Sequence, residues 1–164
     1  SDLLVRAYTK TYKLDAVTTR CCNNYGPRQY PEKLVPVIIS KAVKNQKVPV
    51  YGQGDNIREW IYVTDHCKAL WKILRKGVAG ETYNVGANCE KTNLEIITEI
   101  CSCLDVEPEE CIEFVEDRKG HDFRYAIDNT KITSELNWKP SLDFKEGIKK
   151  TVSWYIKNNE TVLS

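Results

Sequence analysis

Runs of β-branched and aromatic residues alternate along this chain with segments whose apolar side chains recur every three or four positions, and that alternation restricts the fold to the α/β class. The pattern predicts helices over 2–13, 33–45, 66–76, 94–104, 129–136 and 144–157. Between them it predicts strands over 16–22, 48–52, 58–63, 81–86 and 112–115, the stretch 58–63 being rich in aromatic and β-branched residues. Thr64 or Asp65 is placed to cap the helix that stops at Gly77, and Thr92 or Asn93 to cap the one that follows. No repeat, low-complexity tract or long linker interrupts the alternation.

At 164 residues, with 41% hydrophobic and 29% charged residues, the chain has the length and composition of one ordinary soluble domain. Lys plus Arg number 24 against 23 Asp plus Glu, so no basic field recruits nucleic acid. No apolar run approaches the roughly 20 residues that span a bilayer, and Ser1–Arg6 does not read as a secretory signal. Seven cysteines, two of them adjacent at Cys21 and Cys22, fit reduced thiols in the cytoplasm better than a disulfide framework. With only His66 and His121 to join them, they assemble no recognised tetrahedral metal set. The chain also lacks methionine and opens inside an amphipathic helix, so a fragment of a longer protein is expected.

Polar residues gather at predicted strand ends and loops. Asn23 and Asn24 follow the first predicted strand, at the carboxyl end where open α/β sheets bind ligands. Paired amides there can fix sugar hydroxyls, although Asn-Asn-Tyr-Gly-Pro is equally the composition of a turn. Lys33 stands at a helix start, where a cation opposes the helix dipole and so is not explained by helix stability. Arg58 opens a strand beside Trp60, Asn93 opens a helix, and Asp117–Asp122 is a loop carrying Arg118, Lys119 and His121. Arg forks and Lys point charges suit a diphosphate. Each alone also reads as a solvated surface charge.

Taken together these residues carry a resemblance. Asn23-Asn24-Tyr25-Gly26-Pro27 with Pro31-Glu32-Lys33-Leu34, Pro49-Val50-Tyr51-Gly52-Gln53-Gly54 and Arg58-Glu59-Trp60-Ile61-Tyr62-Val63 are its first half. Glu81 to Gly86, Glu90-Lys91-Thr92-Asn93, Gly120-His121-Asp122, Arg124 to Asp128 and Gly147 to Tyr155 continue it. Across nearly its whole length the chain resembles the C-terminal half of the dTDP-glucose 4,6-dehydratases, within the extended short-chain dehydrogenase/reductase superfamily. Cys22 stands where that family usually has Ser, Glu59 where it has Asp, Cys89 where it has Asn, and Lys119 where it has Pro.

The resemblance implies the C-terminal part of a Rossmann-type NAD-binding fold plus a smaller α/β substrate-binding domain. Residues of about 1–27, 60–87 and parts near 94–104 are expected on the cofactor side, and about 28–59 and 105–164 on the substrate side. It implies substrate contacts from Asn23, Lys33, Leu34, Pro49, Val50, Tyr51, Arg58, Asn93, Arg118 and His121, and an NAD contact from Asn24. The substrate is then a dTDP-sugar, and the whole enzyme a cytoplasmic homodimer joined through the helix ending near Tyr12. A glycine-rich dinucleotide fingerprint, a Tyr-x-x-x-Lys pair and an acid/base carboxylate pair are not in this sequence, so no catalytic residue is assigned to it and the chain alone is expected to be inactive. A half of a UDP-sugar 4,6-dehydratase or 4-epimerase, or a non-catalytic nucleotide-sugar module, shares the same features.

Overall fold

A computed structural model describes residues 2–158. Its elements run α1 (Asp2–Tyr12), β1 (Thr18–Cys21), β2 (Asn23–Tyr25), α2 (Leu34–Val43), β3 (Val48–Tyr51), β4 (Ile57–Tyr62), α3 (Val63–Lys76) and β5 (Thr82–Val85). They continue with β6 (Glu90–Thr92), α4 (Asn93–Leu104), α5 (Pro108–Cys111), β7 (Ile112–Val115), β8 (Arg124–Tyr125), α6 (Thr130–Leu136) and α7 (Phe144–Lys157). The α/β alternation stands, with β1–β5, β2–β4, β3–β7 and β4–β8 parallel and β4–β6 antiparallel. Residues 159–164, the end of the expected substrate-side range, lie outside the described residues, as does Ser1.

The strand expected over 16–22 is two strands in different sheets. Cys22 still donates its backbone N–H to Val85, 3.2 Å away, and then the chain crosses to β4, where Asn23 pairs with Trp60. Asn23 and Asn24 are therefore strand residues rather than loop residues, and successive strand residues face opposite ways. The two asparagines point apart.

Two further expectations are corrected. The helix expected at 66 begins at Val63 and is not capped by Thr64 or Asp65. Asp65 is buried and accepts the backbone N–H groups of Ser141 and Leu142 at 2.7 and 2.9 Å, which ties α3 to the loop before α7. Thr92 does cap α4, in a reciprocal box with Glu95. The short elements β6, β8 and α5 are too brief for periodicity to reveal.

Buried side chains form two clusters. One joins α2, α4 and α7 with Tyr25, Val50 and Trp60, so the segment 94–104 packs with α2 and α7. The other joins Ile61, Ala69, Ile73, Tyr83 and Val85 with Ile132, Leu136 and Trp138, so α6 packs on the β1–β5 side. The apolar faces of those helices decide the grouping, not their place in the chain. Glu59 is buried between β4 and its neighbours, where its carboxylate accepts the N–H groups of Ala87, Asn88 and Ile127 at 2.7–2.8 Å. A buried charge is tolerated when it is paired or hydrogen-bonded in this way.

Candidate functional site

One groove of about 500 Å³ collects nearly all the residues singled out in the sequence. Asn23, Leu34, Pro49, Val50, Tyr51, Arg58, Asn93, Arg118 and His121 line it, together with Trp60, Lys119, Asp122 and Tyr125. Lys33 is the exception: it precedes α2, its side chain is exposed, and its ammonium lies 3.5 Å from Glu32. Asn24 is not a lining residue either. Its side-chain oxygen lies 2.8 Å from His66 Nδ1, and its amide N–H donates to the Cys22 carbonyl at 3.2 Å. Burial lowers the pKa of His66, which favours the neutral ring at that contact.

Two cations of the groove, Arg58 and Arg118, are oriented by their neighbours. Arg58 donates to the carbonyls of Ile57 at 2.7 Å and Asp122 at 2.6 Å, and its guanidinium lies 4.5 Å from the centre of the Tyr125 ring. Arg118 lies 4.8 Å over the Tyr51 ring and donates to His121 Nε2 at 3.2 Å. Arginine has no lone pair to offer, so Nε2 is the acceptor and the ring proton resides on Nδ1, 2.7 Å from Asp117 Oδ1. That bond from His121, with the Arg118 backbone N–H, holds the Asp117 carboxyl below its usual range. Among the described residues no carboxylate forms a salt bridge with Arg58, Arg118 or Lys119. Free positive charge beside an aromatic ring and an amide is an anion site with a flat neighbour.

A larger cavity of about 820 Å³ also borders Trp60. Its charges are satisfied internally: Lys91 pairs with Glu95 at 2.9 Å, Asp143 caps α7, and Glu90 holds Arg124. Volume favours that cavity, and unpaired charge favours the groove. Charge decides, because a polar ligand gains little where every partner is already taken.

Among the described residues no helix is long and apolar enough to cross a membrane, and no group of three or more His, Cys, Asp or Glu side chains could hold a metal ion. All seven cysteines are free. Cys22 is pushed up to about 12 by burial and by the charge of Glu59, so it is an inert thiol beside the site rather than a nucleophile in it.

The family model for GDP-mannose 4,6 dehydratases matches residues 1–151. This chain belongs to the GDP-mannose 4,6 dehydratase family. Within it, the likeness to dTDP-glucose 4,6-dehydratases extends along the chain. The enzyme of that name from Shigella flexneri is 49% identical over 99% of this chain and 46% of its own length. A solved dTDP-glucose 4,6-dehydratase from Bacillus anthracis, in complex with NAD, is 47% identical with a TM-score of 0.93, covering 99% of this chain and 52% of that one. Another, from Streptomyces venezuelae with NAD and a second ligand bound, is 43% identical with a TM-score of 0.94, covering 100% of this chain and 51% of that one. The chain spans about half the length of the relatives it matches.

Trp60, Asp122 and Tyr125 line the groove of this family member without having been picked out from its sequence. Trp60 was signalled by its place two residues after Arg58 on one strand, since such residues share a face. Its indole N–H is buried with no acceptor among the described residues. Tyr125 gave no comparable signal, because β8 is two residues long.

Proposed function

We propose that this chain forms the nucleotide-sugar-binding half of an NAD-dependent dTDP-glucose 4,6-dehydratase, a lyase that takes dTDP-glucose to dTDP-4-keto-6-deoxyglucose and water. The observation that carries the reading is the groove itself, with Arg58, Arg118 and Lys119 unpaired beside Tyr51, Asn23 and Asn93. In this reading Arg58 and Arg118 hold the diphosphate, and Pro49, Val50 and Tyr51 hold the base and its sugar. Asn23, Asn93, Leu34 and His121 complete the substrate contacts. Lys33 joins them only if its exposed side chain turns from Glu32 toward the ligand.

NAD, when bound, supplies hydride transfer. Asn24 fits an orienting role at its edge, because His66 and the Cys22 carbonyl hold its amide in one orientation. The cluster around β1, β5, α3 and α6 then belongs to the cofactor side, and the cluster around α2, α4 and α7 to the substrate side. The whole protein is read as a cytoplasmic homodimer, and this half without a Tyr-x-x-x-Lys pair as inactive alone.

Calorimetry on the whole protein containing this chain tests the reading. dTDP binds more tightly than UDP, and Arg118→Ala weakens dTDP about tenfold, the effect of removing one charge-assisted contact. Incubation with dTDP-glucose yields a product lighter by one water in mass spectrometry. A preference for UDP, or a product of unchanged mass, overturns the assignment.

A further inference from the structure

We propose that Tyr125 is the positioning residue of the groove, fixing Asn23 through its hydroxyl and Arg58 through its ring. The inference rests on the nucleotide-sugar reading and names a residue that sets its geometry. The Tyr125 hydroxyl donates to Asn23 Oδ1 at 2.6 Å. With that oxygen occupied, Asn23 presents its amide N–H to the groove, so it recognises an acceptor such as a sugar or phosphate oxygen. On the same side chain, the ring lies under the Arg58 guanidinium at 4.5 Å. Arg58 already gives N–H groups to the Ile57 and Asp122 carbonyls, and the aromatic face steadies its charge without consuming the donors that remain.

The placement has a structural cause. Tyr125 pairs with Arg58 across β8 and β4, while Asn23 pairs with Trp60 two residues further along β4. The tyrosine therefore stands beside both groups. Its strand is anchored at its N-terminal side by two contacts. Arg124 makes two bonds to Glu90 at 2.6 and 2.7 Å, and Arg58 Nη2 reaches back to the Asp122 carbonyl. Tyr125 is also 43% exposed, more than a residue needed only to fill the core. One ring thus keeps two ligand-facing groups, carried on different strands, in a fixed relation before the ligand arrives. Such preorganisation lowers the ordering cost of binding.

Double-mutant cycles on the whole protein with its cofactor test this, with the dissociation constant of dTDP-glucose as the readout and the melting midpoint as a check on folding. Tyr125→Phe removes the hydroxyl and keeps the ring, and weakens binding about fivefold, as expected for one hydrogen bond. On an Asn23→Ala background the same change has no further effect. Tyr125→Leu removes both contacts and weakens binding more than Tyr125→Phe does. That additional loss disappears on an Arg58→Ala background. Losses that add fully in both cycles make Tyr125 a merely structural residue and overturn the proposal, as does unchanged binding in Tyr125→Phe. Failure of the unsubstituted protein to bind dTDP-glucose overturns the proposed function, and this inference with it.

Discussion

The two buried clusters are equally inaccessible and differ in the apolar surface that borders them. Around Tyr25, Trp60, Ile97, Ile148 and Tyr155, helices α2, α4 and α7 cover the strands, and these side chains are nearly inaccessible. Around Ile61, Ile73, Tyr83 and Val85, the β1–β5 sheet has two strands, and a two-stranded sheet is marginal without further cover. Beyond it Leu70, Trp71 and Leu74 on α3, and Leu3, Leu4, Tyr8 and Tyr12 on α1, stand in solvent; Leu74 is 74% exposed. The groove draws Val50, Trp60 and Ile97 from the closed cluster and none from the open one. The groove is thus built on the cluster that α2, α4 and α7 cover.

The largest effect that separates the clusters is expected at Gly147 on α7. An added Cβ would lie 2.2 Å from the Tyr25 hydroxyl oxygen and 2.9 Å from the ring carbon that bears it. Tyr25 cannot retreat, since its ring lies 5.4 Å from that of Phe144 and 5.5 Å from that of Tyr62. Alanine improves helix propensity by about 1 kcal/mol, but overpacking of this kind costs about 3 kcal/mol. Gly147→Ala is therefore expected to destabilise the whole protein by about 2 kcal/mol in denaturant unfolding. Adding Tyr25→Phe, which removes the clashing oxygen, should recover part of the loss. Leu74→Ala on the open side should change stability by less than about 0.5 kcal/mol. Equal losses at Gly147 and Leu74 would erase the distinction between the two regions.

The same contrast governs what was legible in the sequence. The α/β class, the long amphipathic helices and the polar groove residues Asn23, Arg58, Asn93, Arg118 and His121 follow from periodicity and from where polar groups interrupt it, whereas Leu34, Pro49, Val50 and Tyr51 are expected only from the family resemblance. Three things were not legible. The split between β1 and β2 at Cys22 depends on a change of partner strand, which no local pattern records. Asp65 has the composition of a helix cap, and tertiary donors at Ser141 and Leu142 claimed it instead. Tyr125 takes its role from a two-residue strand whose partner lies more than sixty residues earlier, at Arg58. Helix-period signals survive in single segments; roles set by distant pairing do not.

A second, smaller effect sharpens the comparison on the open side. Exposed apolar patches of this kind mark association surfaces. The occupant proposed for the α1 face is a second copy of the chain, as the homodimer reading requires, while α3 adds Trp71 and Leu74. Made alone, residues 1–164 are expected to self-associate in light scattering. Trp71→Glu with Leu74→Lys should weaken that association about tenfold or more, equivalent to about 1.4 kcal/mol, without altering the closed cluster. A monodisperse monomer that unfolds cooperatively would show that the exposed face needs no cover.

The smallest effect concerns the tie between the clusters. Asp65 lies on α3, and its carboxylate accepts from Ser141 and Leu142 just before α7 enters the closed cluster. Burial works against ionisation there. The Ser141 hydroxyl and the two backbone N–H groups outweigh it, leaving the Asp65 pKa below its ordinary 3.8. A carboxylate depressed in the folded state contributes stability that is fully present above 3.8 and is lost as pH falls through the lower, folded value. Ser141→Ala removes one of the bonds that cause the depression, since its hydroxyl lies 2.6 Å from Asp65 Oδ1. It should cost about 1 kcal/mol near neutral pH, one net hydrogen bond. Because the variant's folded pKa lies closer to 3.8, it has less stability to lose in acid, and the two melting curves should converge as pH falls toward about 2. A difference that stays constant over that range would mean that Ser141 acts through packing alone, and that the link between the two clusters carries no charge-dependent part.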